Sequence, residues 1–448
     1  MGLGGHGGTA GPGLGGSGDG TAVAGSSGAG ATGKGGRGSA GDGSAGTGES
    51  SGSGGTAGSG IGGTSGTAGA AGDHGNVAGA SGGGAAGANN NVVPIVVDRG
   101  PHDVGTADVP FISVTVCVPG TATCATIDHV SVDTGSTGLR LIASALPSTL
   151  KLPQQMTGGR PETECFTFAD GYVWGSVRLA DVTIGGESAR NMQLQIIGDP
   201  AYPTVPSECQ ATGTPENTVA DFGANGIIGI SQSPQDCGSF CTKARPTGYY
   251  ACQGTSCTGV AMPVANQLAN PVTLFDVDNN GAILEFPAVP ETGAATLSGT
   301  LTFGVGTQAN NALGNARTLT VDADNMLTTV YGGTTMPESF IDSGTNLLAF
   351  TDKSLTRCAG QDAEFYCPSS TVTKMATITG RNNVSTPVTF SVANTDALLR
   401  TQFSAFDDLA GTGFNNSFDW GFPFFIGRKV FIGFALPSSP GGTGYLAY

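Results

Sequence analysis

Two short runs, Asp133-Thr134-Gly135-Ser136 and Asp342-Ser343-Gly344-Thr345, carry the residue types from which proton-transfer chemistry is built. Each follows an apolar, strand-like stretch, Val130-Ser131-Val132 in the first and Phe340-Ile341 in the second, and each leads into a further apolar run. One Asp-Thr-Gly-Ser would mean little, because turns favour all four residue types. Two copies with matching flanks, about two hundred residues apart, are a much stronger signal. Two carboxyl groups within hydrogen-bond distance cannot both ionise freely; one pKa rises, the other falls, and the pair titrates as a unit. The chemistry served by such a pair is general acid and general base action on one substrate.

Strands are what the sequence offers to position these residues. Residues 92–97 are the first stretch with strand character and mark where the folded body begins. Residues 111–116 alternate apolar and polar side chains, pass through Cys117-Val118-Pro119-Gly120, and lead into a second strand that ends at Asp133. Asp170-Gly171 sits between two β-prone runs and predicts a hairpin over residues 165–184 that carries Phe168, Tyr172 and Trp174. Taken singly, each aromatic reads as ordinary cross-strand packing. Asn225-Gly226-Ile227-Ile228-Gly229-Ile230 is a short apolar strand whose glycines suggest close backbone approach. Residues 231–260 read as a loop, 264–268 as a short helix, and 271–286 as strand, turn and strand around Asn280-Gly281. Beyond Asp342 come the strand-like runs 371–378 and 388–392, then Phe424-Phe425-Ile426-Gly427, an echo of Ile227-Ile228-Gly229. The order hairpin, Asp-x-Gly-x, strands, apolar-apolar-Gly therefore occurs twice, which predicts an all-β fold with few short helices.

Composition separates two polymers within the 448 residues. About half of the 77 glycines precede Asn91, and residues 1–90 are almost entirely Gly, Ala, Ser and Thr. Such a segment cannot bury enough apolar surface to offset the entropy of ordering, so it reads as a disordered tether. The remainder is long enough for two lobes, 91–275 with the first Asp motif and 276–448 with the second. A formal net charge of −16 and the lack of a basic stripe argue against nucleic acid. The apolar run 422–435 is too short to span a bilayer and includes Arg428 and Lys429.

All 10 cysteines lie in the part expected to fold. Cys117 and Cys124 bracket a hairpin turn, and Cys358 and Cys367 a short loop. Cys237, Cys241, Cys252 and Cys257 crowd one segment, and Cys165 and Cys209 are left for a longer bridge. An even number clustered in loops reads as disulfides in an oxidising compartment, although spacing does not fix the connectivity. Zinc fits less well, since there is no Cys-x-x-Cys pair and only His102 and His129 fall in this part. The opening Met1-Gly2-Leu3-Gly4-Gly5-His6 has neither a charged start nor an apolar core. The expectation is therefore an extracytoplasmic protein, secreted or tethered at the cell surface, whose export signal or lipid anchor lies upstream of this sequence.

The duplicated arrangement resembles the pepsin-type aspartic proteases, two β-rich lobes facing each other across a central cleft, over roughly residues 92–448. Asp278-Asn279-Asn280-Gly281, residues 303–311 and Phe340-Ile341-Asp342-Ser343-Gly344-Thr345-Asn346 further resemble a bacterial family of unknown function whose members look like divergent secreted pepsin relatives. The resemblance implies that Asp133 and Asp342 are the catalytic pair of an endopeptidase acting on a polypeptide, without metal or cofactor, as a monomer. It implies that Gly135 and Gly344 let backbone N–H groups approach the carboxylates. Ser136 and Thr345 would donate hydroxyl hydrogen bonds to them, and Thr134 and Ser343 would lock the two loops together. It places Gly229 and Gly427 on strands threaded behind the Asp loops, and makes Phe168, Tyr172 and Trp174 a flap over substrate. One departure is plain: counting back from Gly175, Phe168 occupies the position where the family usually has tyrosine, so a hydroxyl is missing.

Rival readings are weaker or narrower. Gly48-Glu49-Ser50-Ser51-Gly52 matches a serine-hydrolase elbow but has no strand before it. Asp276-Val277-Asp278-Asn279-Asn280-Gly281 starts like a calcium loop, yet the twelfth position is Pro287 and an Asn-Gly hairpin explains it better. The serious alternative keeps the fold and drops catalysis, leaving a binding or surface-display protein.

Overall fold

In Val92–Val97 every second side chain, Val93, Ile95 and Val97, is buried, which is the signature of a strand covered on one face. The computed structural model describes residues 91–448 apart from 438, 440 and 441. The tether expected over residues 1–90 lies outside the described residues. Among them are 24 strands, three α-helices of at most five residues and eight short 3-10 turns, so the all-β expectation holds.

A 17-stranded sheet and a seven-stranded sheet contain these strands. The strand Val92–Val97 pairs antiparallel with Leu297–Phe303, so the start of the folded body is stitched to the second half of the chain. Gly281–Glu285, Lys429–Gly433 and Tyr445–Ala447 also join the larger sheet. The seven-stranded sheet is drawn entirely from residues between Leu327 and Trp420. One continuous hydrophobic core changes in kind along its length. Around Asp133 the packing is aliphatic, with Val130, Val132, Leu139, Leu141 and Ile228 fully buried. Around Asp342 it is aromatic, with Phe350 stacked on Phe418 at 4.7 Å and Phe418 on Trp420 at 4.0 Å between ring centroids.

The disulfides are Cys117–Cys124, Cys165–Cys209, Cys237–Cys241, Cys252–Cys257 and Cys358–Cys367, and no cysteine is free. Cys117–Cys124 and Cys252–Cys257 join directly opposed residues of hairpins. The longest loop, 44 residues, is closed by Cys165–Cys209, and there the loss of unfolded-chain entropy is greatest.

Three local expectations need correction. The segment 231–260 is not all loop, because Gly248–Gln253 and Ser256–Gly259 form a hairpin whose first strand pairs with Arg160–Thr167. Residues 271–286 begin with the 3-10 turn Pro271–Leu274, whose Pro at its first turn and Asn270 cap favour that start, and only Gly281–Glu285 is a strand. Phe425-Ile426-Gly427 is not a threaded strand. It follows the 3-10 turn Phe422–Phe424, and Gly427 turns the chain at φ +75° before Lys429–Gly433.

Candidate active site

Asp133 ends the strand Cys124–Asp133, and the chain turns back into Thr137–Ile142. The strand Gly226–Ile230 lies between those two, parallel to the first and antiparallel to the second, with Gly229 opposite Asp133 and Gly138. Only glycine fits there, since a Cβ at residue 229 would stand 2.5 Å from the Thr137 nitrogen. Asp342 follows Thr334–Ile341 in the same way, and the chain returns as Leu348–Ala349. Here the intervening strand is Asp419–Trp420, again parallel to the first flank and antiparallel to the second. The next residue, Gly421, would bring a Cβ to 2.1 Å from the Leu347 carbonyl oxygen. Gly421 is therefore the counterpart of Gly229, and Gly427 is not. The apolar-apolar-Gly pattern missed it because Asp419 interrupts the apolar run, while the aromatic residues after Pro423 imitate one. The usable signal was a glycine closing a β-prone Ser417-Phe418-Asp419-Trp420 run.

The two Asp loops meet. The Thr134 hydroxyl donates to the Ile341 carbonyl at 3.3 Å and accepts from the Ser343 N–H at 2.9 Å. The Ser343 hydroxyl donates to the Val132 carbonyl at 2.8 Å and accepts from the Thr134 N–H at 3.2 Å. Asp133 Oδ1 accepts from the N–H groups of Gly135 at 2.6 Å and Ser136 at 3.2 Å, and Oδ2 accepts from the Ser136 hydroxyl. Asp342 Oδ1 accepts from the Gly344 N–H at 2.7 Å, and Oδ2 from the Thr345 hydroxyl at 3.1 Å. A Cβ at residue 135 would lie 2.6 Å from the Asp342 carboxyl carbon, so the close approach requires glycine.

The carboxyls of Asp133 and Asp342 are both 0% exposed and hydrogen-bond each other. Burial pushes both pKa values up, because the charged form loses its hydration. Asp342 rises further, since it also faces the carboxyl of Asp133. Such an arrangement can hold a proton between two oxygens, with hydroxyl and N–H donors for the charge that remains. A groove of about 240 Å³ adjoins it, lined among others by Thr134, Ser136, Gln232, Asp324, Met326 and Phe340.

The three aromatics of the hairpin are packed into the protein interior. Phe168 packs edge-on against Phe166 and Phe222. Trp174 packs on Tyr250 and donates its indole N–H to the Tyr202 carbonyl at 3.0 Å. Tyr172 is buried with Cys165 and Cys209. None of the three lines the groove. The hairpin is tied down by pairing of Gly171 and Tyr172 with Thr214 and Pro215. A buried ion pair secures its base: Arg140 donates to Glu164 at 2.9 Å and to Asp236 at 2.8 Å, and the Tyr249 hydroxyl donates to Asp236 at 2.8 Å. Asp236 belongs to the groove wall, so this network connects groove to hairpin.

As to metals, the group formed by Cys358, Cys367 and Asp396 has its two sulfurs bonded to each other and offers no thiolate. No helix among the described residues is long and apolar enough to cross a membrane.

Residues 87–448 match the family described as "Protein of unknown function (DUF3443)". The chain belongs to this family. No curated protein matches it. Among solved structures it is similar to the aspartic proteinase from Irpex lacteus, at 15% identity and a TM-score of 0.44, over 80% of this chain and 96% of that one.

Proposed function

We propose that this chain is an aspartic endopeptidase that hydrolyses a polypeptide by activating water between Asp133 and Asp342. The observation that carries the reading is the meeting of two Asp loops in mirrored hydrogen-bond frames, with one carboxyl bonded to the other. In this mechanism the ionised member of the pair takes a proton from water as it attacks the peptide carbonyl, and the protonated member donates to the carbonyl oxygen. Thr134 and Ser343 hold the loops in register, and Ser136 and Thr345 stabilise the charge. The reading takes residues 91–275 and 276–448 as lobes supplying one aspartate each, in a monomer that needs no cofactor. The five disulfides support an extracytoplasmic location, secreted or held at a surface.

The test is cleavage of an unfolded polypeptide between about pH 2 and pH 7. Cleavage is expected to be blocked by a peptide mimic with a tetrahedral hydroxyl and lost in Asp133→Asn. If wild type and Asp133→Asn show the same absence of cleavage throughout, the reading fails. One observation favours a second reading, a binding protein on the same fold: both carboxyls are 0% exposed and the hairpin aromatics are buried away from the groove. That reading expects the peptide mimic to bind without any cleavage.

A further inference from the structure

Asp419 stands out as a carboxyl that the pairwise mechanism does not use. It lies in the strand threaded behind the Asp342 loop, opposite Phe340 on one side and Ala349 on the other. Its neighbours Phe418 and Trp420 point into the aromatic stack, so alternation along the strand turns Asp419 the other way. There it is 4% exposed, faces the Thr345 hydroxyl and lies close enough to Asp133 and Asp342 to feel their charge. Its counterpart behind the Asp133 loop is Ile227, which contributes no polar atom. Among the described residues no salt bridge reaches Asp419, and its Oδ1 is buried without a hydrogen-bond partner.

A threonine hydroxyl has one proton to donate and lone pairs to accept. The Thr345 proton is committed to Asp342 Oδ2 at 3.1 Å. Two anionic acceptors on one hydroxyl would leave one of them unsatisfied in a dry site, at the cost of a buried charge. Building on the endopeptidase reading, we propose that Asp419 is a positioning residue: a permanently protonated acid that donates to Thr345 Oγ1 and so aims the Thr345 hydroxyl at Asp342. The titratable groups facing it are Asp133 and Asp342, both acidic; burial raises the Asp419 pKa, the Thr345 hydroxyl opposes that rise, and the charge of Asp133 adds to it.

Two substitutions separate the roles. Asp419→Asn keeps shape and a donor, while Asp419→Ile copies the Ile227 side. Expected are cleavage rates within about threefold of wild type for Asp419→Asn, with an unmoved alkaline limb of the pH profile, and a loss of at least about tenfold in kcat for Asp419→Ile. An alkaline limb moved to lower pH in Asp419→Asn means that Asp419 was ionised and overturns the proposal. Equal losses in the two variants, or none in either, overturn it as well.

Stability supplies a readout that does not need peptidase activity. A carboxyl whose folded pKa lies above its unfolded value stabilises the fold below about pH 4 and loses that contribution as pH rises. The melting temperature of Asp419→Asn should therefore exceed that of wild type at neutral pH and converge with it near pH 4. A difference that does not vary with pH overturns the protonated state. Absence of cleavage by wild type, with this pH dependence present, would reject the endopeptidase reading and leave the buried acid in place. Without activity, an Asp419→Asn gain at neutral pH that Thr345→Val leaves unaltered overturns the donation to Thr345.

Discussion

The two Asp loops share a hydrogen-bond frame and differ in what stands behind it. Behind Asp133 the threaded strand reads Ile227-Ile228-Gly229, and Ser131 on the flanking strand supplies the polar atom, donating to the Gly226 carbonyl at 3.2 Å. Behind Asp342 the polarity is exchanged: Phe340 is on the flanking strand and Asp419 on the threaded one. The glycine is common to both because backbone packs on backbone there. The side chains before it differ in what they meet within one continuous core, Ile228 lying among aliphatic residues and Trp420 in the aromatic stack. A duplicated fold thus keeps what the chain path demands and lets the two carboxyls acquire different surroundings.

The hardest way to break the comparison is through the glycines. Gly229→Ala and Gly421→Ala would place a Cβ 2.5 Å and 2.1 Å from backbone atoms. Each is expected to cost roughly 3 kcal/mol or more, because neither neighbour is a flexible side-chain end. Gly427→Ala meets nothing nearer than 3.4 Å, and its φ of +75° costs about 1–2 kcal/mol. Urea unfolding of the three variants gives the ranking directly. A Gly427 variant as damaged as the other two would remove Gly421 as the counterpart of Gly229.

How far the sequence revealed this site depends on which residues carried the signal. The two Asp motifs were legible because all eight positions are set by backbone approach and hydrogen bonding, which few residue types satisfy. The threaded strand at Gly229 was legible because its neighbours Ile227 and Ile228 are both buried in hydrophobic clusters. Its twin was not, since Asp419 serves the site and breaks the hydrophobic pattern. The hairpin over residues 165–184 was readable from Asp170-Gly171, but the direction of its aromatics was not. That direction depends on partners remote in sequence, Phe222, Tyr202 and Tyr250. The 248–259 hairpin was hidden for the same reason, as a Cys- and Gly-rich run becomes strand only by pairing with Arg160–Thr167.

A second test asks whether the lock between the loops is symmetric. Thr134→Val leaves the Ser343 N–H and the Ile341 carbonyl without their partner, and Ser343→Ala does the same to the Thr134 N–H and the Val132 carbonyl. Each is expected to cost about 1–3 kcal/mol, the penalty for buried backbone groups left unpaired. The two costs should agree within about 1 kcal/mol, since the bonds are reciprocal. A larger gap in chemical denaturation would show that one loop is held by something other than the lock.

Hydroxyl removal is expected to separate the loops through pH. Ser136 donates to the Asp133 carboxylate and holds its pKa down against the upward push of burial. Removing the donor disfavours the anion, so the pKa rises and the acid limb of the pH–rate profile moves to higher pH. For Ser136→Ala the shift should be up to about one unit, equivalent to about 1.4 kcal/mol. Thr345→Val should move the acid limb less, because the rise at Asp342 is dominated by burial and the Asp133 carboxyl. Equal shifts would mean that the two surroundings are equivalent in spite of Asp419.

The smallest effect belongs to Thr345→Ser, and it tests which part of Thr345 matters. Serine keeps the hydroxyl that donates to Asp342 Oδ2 and removes one buried methyl. Loss of that methyl should cost about 1 kcal/mol or less in urea unfolding. The pH profile should not move, because neither the donor nor any charge has changed. Thr345→Val is the complement, since it keeps the shape and removes the hydroxyl. If Thr345→Ser displaced the profile as far as Thr345→Val does, the methyl would be fixing the loop and the hydroxyl would be incidental. The Asp342 side would then owe its character to packing, and the contrast with the Asp133 side would rest on the aromatic interior rather than on a third carboxyl.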